Sequence, residues 1–285
     1  MKLSTENLKL IKMALSEDLG KGDITTDALH LRGRKGQAFV VSKANGVISG
    51  LAPFEKTFKL LSKSISFKIY KPDGATVVPG DIIIELKGPL DAILTGERTA
   101  MNFLCQLSGV ATLTRKFANA IKDYPARLLD TRKTTPGMRL WQKKAVKDGK
   151  AINHRLGLFD MYLIKENHIA AAGGLAIALD NVARHQSKTG AKIEVEVKNF
   201  NELKTALLYK PDYILLDNFS NAMLRKGVEF AKKIHSKVLL EASGNVNLKT
   251  VRKIASTGVD RISVGNITHS SPVLDLSLKV REFSR

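Results

Sequence analysis

Two hydrophobic rhythms divide the chain. Leu8, Ile11 and Leu15, with Met13 among lysines, recur at helical spacing and predict an amphipathic helix over residues 5 to 15. Gly20 and Gly22 break it. From Gly36 to Leu86 the pattern shortens to β-like runs at Gln37 to Val41, Gly46 to Ile48, Ser64 to Tyr70 and Asp81 to Leu86. Turns at Ala44-Asn45-Gly46, Pro72-Asp73-Gly74 and Pro79-Gly80-Asp81 separate them, and one helix, Pro53 to Leu61, interrupts. This α+β layout predicts a separate domain over residues 1 to 110. A long helix opens near its end, with Thr95 as the expected cap and Arg98 in the expected first turn. Ala100, Phe103, Leu104, Leu107, Val110 and Leu113 form its apolar stripe. A cation in the first turn works against the helix dipole, so Arg98 reads either as kept for a partner or as an exposed arginine tolerated at small cost.

After Pro125 the rhythm changes. Short apolar runs recur near 127–130, 161–164, 192–197, 212–217, 237–242 and 259–264, with helix-like segments between them. Alternating strand and helix implies right-handed crossovers and a parallel sheet. The fold class is therefore α/β: an open β/α barrel over residues 111–270 behind the N-terminal α+β domain. The last segment, 271–285, is expected to carry a helix over 271–282 that packs back on the N-terminal domain.

Composition narrows the class. The chain has 285 residues and no apolar run of membrane-spanning length. Its start alternates Lys and Leu without a signal-peptide core, and its single cysteine, Cys105, excludes an internal disulfide, so a cytoplasmic location is expected. A net charge of +19 favours anionic partners. The basic residues are spread along the chain, without the block that marks a nucleic-acid arm.

The cations matter most from Asp130 to His168. Arg132 and Lys133 follow the run Leu128-Leu129, and Lys165 follows Met161 to Ile164, with His154 and Arg155 between. Strand ends of this kind point into the mouth where α/β folds bind ligands, so these residues read as a preorganised anion site. Lys143, Lys144, Lys147 and Lys150 read instead as solvated surface. Ile193-Glu194-Val195-Glu196-Val197 alternates strictly, which in a barrel strand turns both glutamates inward, Glu196 nearer the mouth, and on an edge strand would leave them exposed. Asp217 ends the next apolar run, and with Glu196 it can hold ribose hydroxyls or bind magnesium through water. Ser243-Gly244-Asn245 and Ser263 to Asn266 each read as a strand running into a small-residue turn and then a helix. Such turns approach anions closely, and Thr268-His269-Ser270 adds polar groups.

These residues also carry a family resemblance. Glu97 to Leu104 with Leu107-Ser108-Gly109, Asp130 to Gly137, Asn153-His154-Arg155 and Leu163 to His168 are four of the matching stretches. Glu194 to Val197, Leu215 to Asn218, Glu241 to Gly244 and Gly258 to Ser270 complete the set, and Asp18 to Thr26 looks like the amino-terminal segment. Together they resemble quinolinate phosphoribosyltransferase. The chain departs from that pattern where the family has a glycine run, here Asp148 to Ile152, and a second glycine, here Asn245.

The resemblance implies transfer of phosphoribosyl from phosphoribosyl pyrophosphate to quinolinate, giving nicotinate mononucleotide, pyrophosphate and carbon dioxide with Mg2+. It implies an α/β-hammerhead-like first domain and a homodimer, or a hexamer of dimers, with a shared site. Lys133, Lys165, Glu196 and Asp217 are the implied catalytic residues. Arg98, Thr131, Arg132, Lys133, His154, Arg155, Lys165, Glu196 and Asp217 would bind substrate. So would Ser243, Gly244, Asn245, Ser263, Gly265, Asn266 and His269, while Glu196 and Asp217 would hold the metal. Arg98 would reach the neighbouring subunit's site.

Three rival readings lead to different measurements. A molybdenum-associated homologue of the same fold would handle another anion. A barrel aldolase using Lys165 would give a borohydride-trappable adduct. A basic nucleic-acid-binding protein would bind DNA or RNA with steep salt dependence.

Overall fold

The computed structural model describes residues 5–235 and 237–282; the outermost residues of the expected N-terminal domain and C-terminal segment lie outside that range. The chain opens with α1 (Thr5–Leu19), α2 (Ile24–Ala28), β1 (Lys35–Ser42), β2 (Gly46–Val47) and α3 (Leu51–Leu61). It continues through β3 (Ser66–Ile69), β4 (Thr76–Val77), β5 (Ile82–Pro89), α4 (Leu90–Ala120), β6 (Arg127–Leu129) and α5 (Arg139–Asp148). Then come β7 (Tyr162–Ile164), α6 (Glu166–Ala172), α7 (Leu175–Thr189), β8 (Ile193–Val197), α8 (Phe200–Leu208) and β9 (Tyr213–Asp217). The rest is α9 (Asn221–Ile234), β10 (Leu239–Ser243), α10 (Val251–Ala255), β11 (Arg261–Ser263), α11 (Asn266–His269) and β12 (Leu276–Glu282).

The first compact unit comprises Met1–Arg115, Thr135–Lys150 and Ser270–Arg285. Its antiparallel sheet runs β12-β1-β5-β3, beside a β2-β4 pair. Alternation along β1 buries Ala38, Val40 and Ser42 on one face. Ala38 and Val40 pack with Phe54, Phe58, Ile84, Ile93 and Leu104 in the unit's core.

Three expectations change here. Residues 276–282 form a strand paired antiparallel with β1 instead of a helix. Leu276, Leu278 and Val280 alternate with polar residues, and β1 had an unpaired edge to offer them. The long helix starts at Leu90, directly after β5, so Thr95 is no cap and Arg98 lies in the third turn. The Thr95 hydroxyl donates to Asp23 at 3.1 Å. The helix-dipole argument for Arg98 therefore falls away. Finally, Lys143 is buried, and Lys144 pairs with Asp73 at 2.8 Å and Asp148 at 2.7 Å, so neither is solvated surface.

The second unit, Lys116–Thr134 with Ala151–His269, holds a parallel sheet in the order β6-β11-β10-β9-β8-β7. All six expected strands are present. Helices α7 to α10 pack side by side against them, as successive crossovers require. Among the described residues the sheet's edges, β6 and β7, are not paired with each other, and Ile152 bridges onto β6 through Leu129. This is an open β/α barrel. β8 sits between β7 and β9, so its glutamates are not on an exposed edge.

Candidate active site

Parallel strands deliver their last residues to one side of a sheet, and a cavity of about 800 Å³ opens there. Thr131, Arg132 and Lys133 enter it beyond β6, His154 and Arg155 beyond the Ile152 bridge, and Lys165 beyond β7. Glu196 of β8 and Asp217 of β9 face them. Ser243, Gly244 and Asn245 follow at the end of β10, then Ser263, Gly265, Asn266 and His269 around β11. Every one of these candidates lines the same cavity. Arg98 is exposed on α4 in the first unit. His168 belongs to the same organising stretch but faces elsewhere. Its Nδ1 accepts from the Lys165 N–H at 2.9 Å, and its ring lines a separate apolar cavity of about 350 Å³.

The cationic wall is held by backbone contacts. Arg155 Nη1 donates to the Met161 carbonyl at 3.0 Å, which fixes a half-buried guanidinium. Burial, and then the charge of Arg132, pull Arg155 below its ordinary value. The Thr268 hydroxyl donates to the Lys133 carbonyl at 2.7 Å and pins the loop after β6. Lys133 lies tight over Gly265: a Cβ there would come within 3.2 Å of its Cδ, so glycine makes the approach possible. Across the cavity, Glu196 Oε2 lies 3.3 Å from Lys165 Nζ.

Beneath the mouth lies a buried charge cluster. His154 Nε2 sits 3.0 Å from Glu194 and 3.5 Å from Glu241, and both glutamates are fully buried. Arg261 Nε donates to Glu241 at 2.9 Å, and the guanidinium stacks over Tyr213 at 4.0 Å. Burial works against a charged imidazole, but the two carboxylates outweigh it and push His154 up to about 9. Burial and the charge of Glu241 raise Glu194. Glu241 is held below the usual range, because His154 and Arg261 overcome its burial. At the other ring nitrogen the Arg155 N–H lies 2.7 Å from Nδ1, which orients the ring.

The two small-residue turns differ. Gly265 leads directly into α11, as expected, although that helix is only four residues long. The turn after β10 does not meet a helix. An Asx turn at Asn247, whose Oδ1 accepts from Lys249 and Thr250, delays α10 to Val251.

Residues 23–108 match the quinolinate phosphoribosyl transferase N-terminal domain and residues 110–279 the C-terminal domain. The chain belongs to the quinolinate phosphoribosyltransferase family. It is 42% identical over 266 residues to the probable nicotinate-nucleotide pyrophosphorylase [carboxylating] of Synechocystis, covering 93% of this chain and 90% of the relative. Identity to the Bacillus subtilis protein of the same name is 38%, covering 95% and 92%. The solved nicotinate-nucleotide pyrophosphorylase from Francisella tularensis superposes with a TM-score of 0.91 at 42% identity, over 98% of each chain. The chain is accordingly a phosphoribosyltransferase enzyme of the carboxylating class.

Within this family fold, Glu241 reaches the cavity although it is not among the candidates named above, and Arg261 supports it from below. A signal was present: one acid inside Leu239-Leu240-Glu241-Ala242, on a strand whose neighbours are apolar, needs a buried partner. Asn218, at the end of β9, is the other addition.

Proposed function

We propose that this cavity carries out the family reaction with the following division of labour. Quinolinate presents two adjacent carboxylates to Arg132, Arg155, Lys133 and His154, with arginine suited to bidentate contacts. The phosphate lies at the far wall, against Ser243 to Asn245 and Ser263 to His269. Departure of pyrophosphate leaves positive charge on the ribose, which Glu196 and Asp217 face, while Lys165 neutralises the leaving group. The ring nitrogen of quinolinate takes the ribose carbon. Carbon dioxide then leaves from the neighbouring ring carbon, the bond pair stays on that carbon beside the cationic nitrogen, and a proton takes its place. The observation that carries this reading is the set of cations from separate strand ends on one cavity wall, opposed by two strand-end carboxylates. Formation of nicotinate mononucleotide from quinolinate and phosphoribosyl pyrophosphate tests it; absence of product with correctly folded protein would overturn it.

Glu196 and Asp217 fit magnesium by donor type: hard oxygens, too few to enclose an ion, matching its habit of taking one or two carboxylates with substrate phosphates. Bound there, the ion would supply charge neutralisation for pyrophosphate. The closest potential ligand cluster among the described residues, His154 with Glu194 and Glu241, already contains its own counter-charges. Glu196→Gln and Asp217→Asn are expected to weaken phosphoribosyl pyrophosphate binding more than quinolinate binding. Calorimetry with each substrate checks this, and intact magnesium-dependent phosphoribosyl pyrophosphate binding with normal turnover in both variants would refute the assignment.

A cytoplasmic homodimer, alone or within a hexamer, belongs to the same proposal. Among the described residues no helix is long and apolar enough to cross a membrane. Arg98 is exposed on the first unit, and the family resemblance gives it a role in the neighbouring subunit's site. Arg98→Ala and Lys133→Ala homodimers are then each nearly inactive. A mixed dimer has one site with both lesions and one with neither, so random exchange of equal amounts restores roughly a quarter of wild-type sites. Confirmed heterodimers that stay as inactive as their parents would remove Arg98 from the partner's site.

A further inference from the structure

Two asparagines close the ends of neighbouring strands in the same unusual conformation. Asn218 follows β9 with φ +55°, and Asn245 lies beyond β10 with φ +51°. The backbone N–H of Asn218 donates to the Ser243 carbonyl at 2.9 Å, just past the Asp217–Ser243 pair of the ladder. That places the Asn218 side chain over Gly244, where an added Cβ would come within 2.1 Å of its Oδ1. Glycine at 244, itself at φ +93°, is what leaves room for the amide.

The side chains then connect in one direction. Asn245 Nδ2 donates to Asn218 Oδ1 at 3.1 Å, and Asn218 Nδ2 donates to Asp217 Oδ2 at 2.9 Å. A primary amide has one accepting and one donating end. By occupying the accepting end, Asn245 fixes which end of Asn218 meets the carboxylate. The contact holds one oxygen of Asp217 beside the cavity that all three residues line. The loop carrying Asn245 is secured in turn: Asn247 Nδ2 donates to the Asn245 carbonyl at 3.4 Å, and Asn247 Oδ1 accepts from Lys249 and Thr250.

We propose that Asn245, acting through Asn218, is a positioning residue that aims the Asp217 carboxylate at the phosphoribosyl substrate. This deepens the role given above to Asp217 and rests on it. It also gives Asn245 a task beyond that of its neighbours in the turn, since one amide N–H is engaged by Asn218.

The test is a double-substitution cycle. Asn245→Gly and Asn218→Gly both keep the left-handed backbone without strain and remove one link each. Affinity for phosphoribosyl pyrophosphate with magnesium is read by calorimetry, alongside KM for each substrate and the thermal midpoint. Loss of one orienting hydrogen bond is expected to weaken phosphoribosyl pyrophosphate binding about 3- to 10-fold in Asn245→Gly, with its KM rising in step. Quinolinate affinity should stay within about two-fold, and in the Asn218→Gly background Asn245→Gly should add little further loss. An equal loss in both backgrounds would mean that Asn245 meets phosphate directly, and overturns the relay. So does an unchanged phosphoribosyl pyrophosphate affinity, or a loss shared equally by quinolinate. Because binding is measured apart from turnover, failure of the relay is distinguishable from failure of the proposed reaction.

Discussion

Nicotinate offered in place of quinolinate is expected to be turned over with a kcat/KM lower by about 10⁴-fold, the discrimination typical of a site built to bond a group that the analogue lacks. The physical cause lies in the cationic wall. Arg155 is half-buried and already strained electrostatically by burial and by Arg132. A dianion relieves both effects, because each carboxylate accepts charge-assisted hydrogen bonds. A monoanion leaves one set of cations desolvated and repelling one another, and that penalty persists into the transition state. Initial rates with both acids at saturating phosphoribosyl pyrophosphate decide the matter. Comparable rates would remove the two-carboxylate clamp while leaving the phosphate side untouched.

Glu241→Ala is expected to cost about 3–5 kcal/mol of stability, the usual consequence of removing one partner from a buried ion pair. The substitution leaves Arg261 with the Tyr213 ring and leaves His154 with Glu194 alone. Urea unfolding measures it, with Glu241→Gln as the isosteric control that keeps the shape and removes the charge. The pH dependence follows from the same cluster. His154 is raised from 6.5 to about 9, so its contribution is fully present below pH 6.5 and is lost as pH rises through 9. Glu241→Gln should shift that loss to lower pH. A wild-type His154 titrating near 6.5 by NMR, or a Glu241→Ala variant within 1 kcal/mol of wild type by the measure above, contradicts the buried pairing.

The barrel was legible because its signal is local. Each strand is a short apolar run, and strict alternation turned Glu194 and Glu196 inward before any partner was known. The cationic strand ends were legible for the same reason. What escaped depends on residues far apart in the chain. Lys144 reads as solvated until Asp73 is brought beside it, and Glu241 reads as filler until His154 arrives. The last strand shows a different failure. Leu276, Leu278 and Val280 have period two in plain view, but the preceding βα rhythm calls for a helix, and the free edge of β1 decides otherwise. The start of α4 was misplaced because Leu90 has no conventional cap before it; Pro89 ends β5 and the helix begins at the next residue.

The seam between β6 and β7 gives the charge pattern a mechanical meaning. Arg132 and Lys133 leave from one lip of that slit, Lys165 leaves from the other, and Arg155 lies on the segment running between them. The wall of the barrel with the fewest backbone rungs therefore carries four cations, and the charge of Arg132 already weighs on Arg155. In the proposed binding mode an anion seated among those side chains would act as a clasp, bridging the lips with bonds the sheet itself does not supply. Bound in the proposed way, substrate would complete the barrel's circumference, and the rigidity that orients the reacting atoms would arrive with the molecule that needs it.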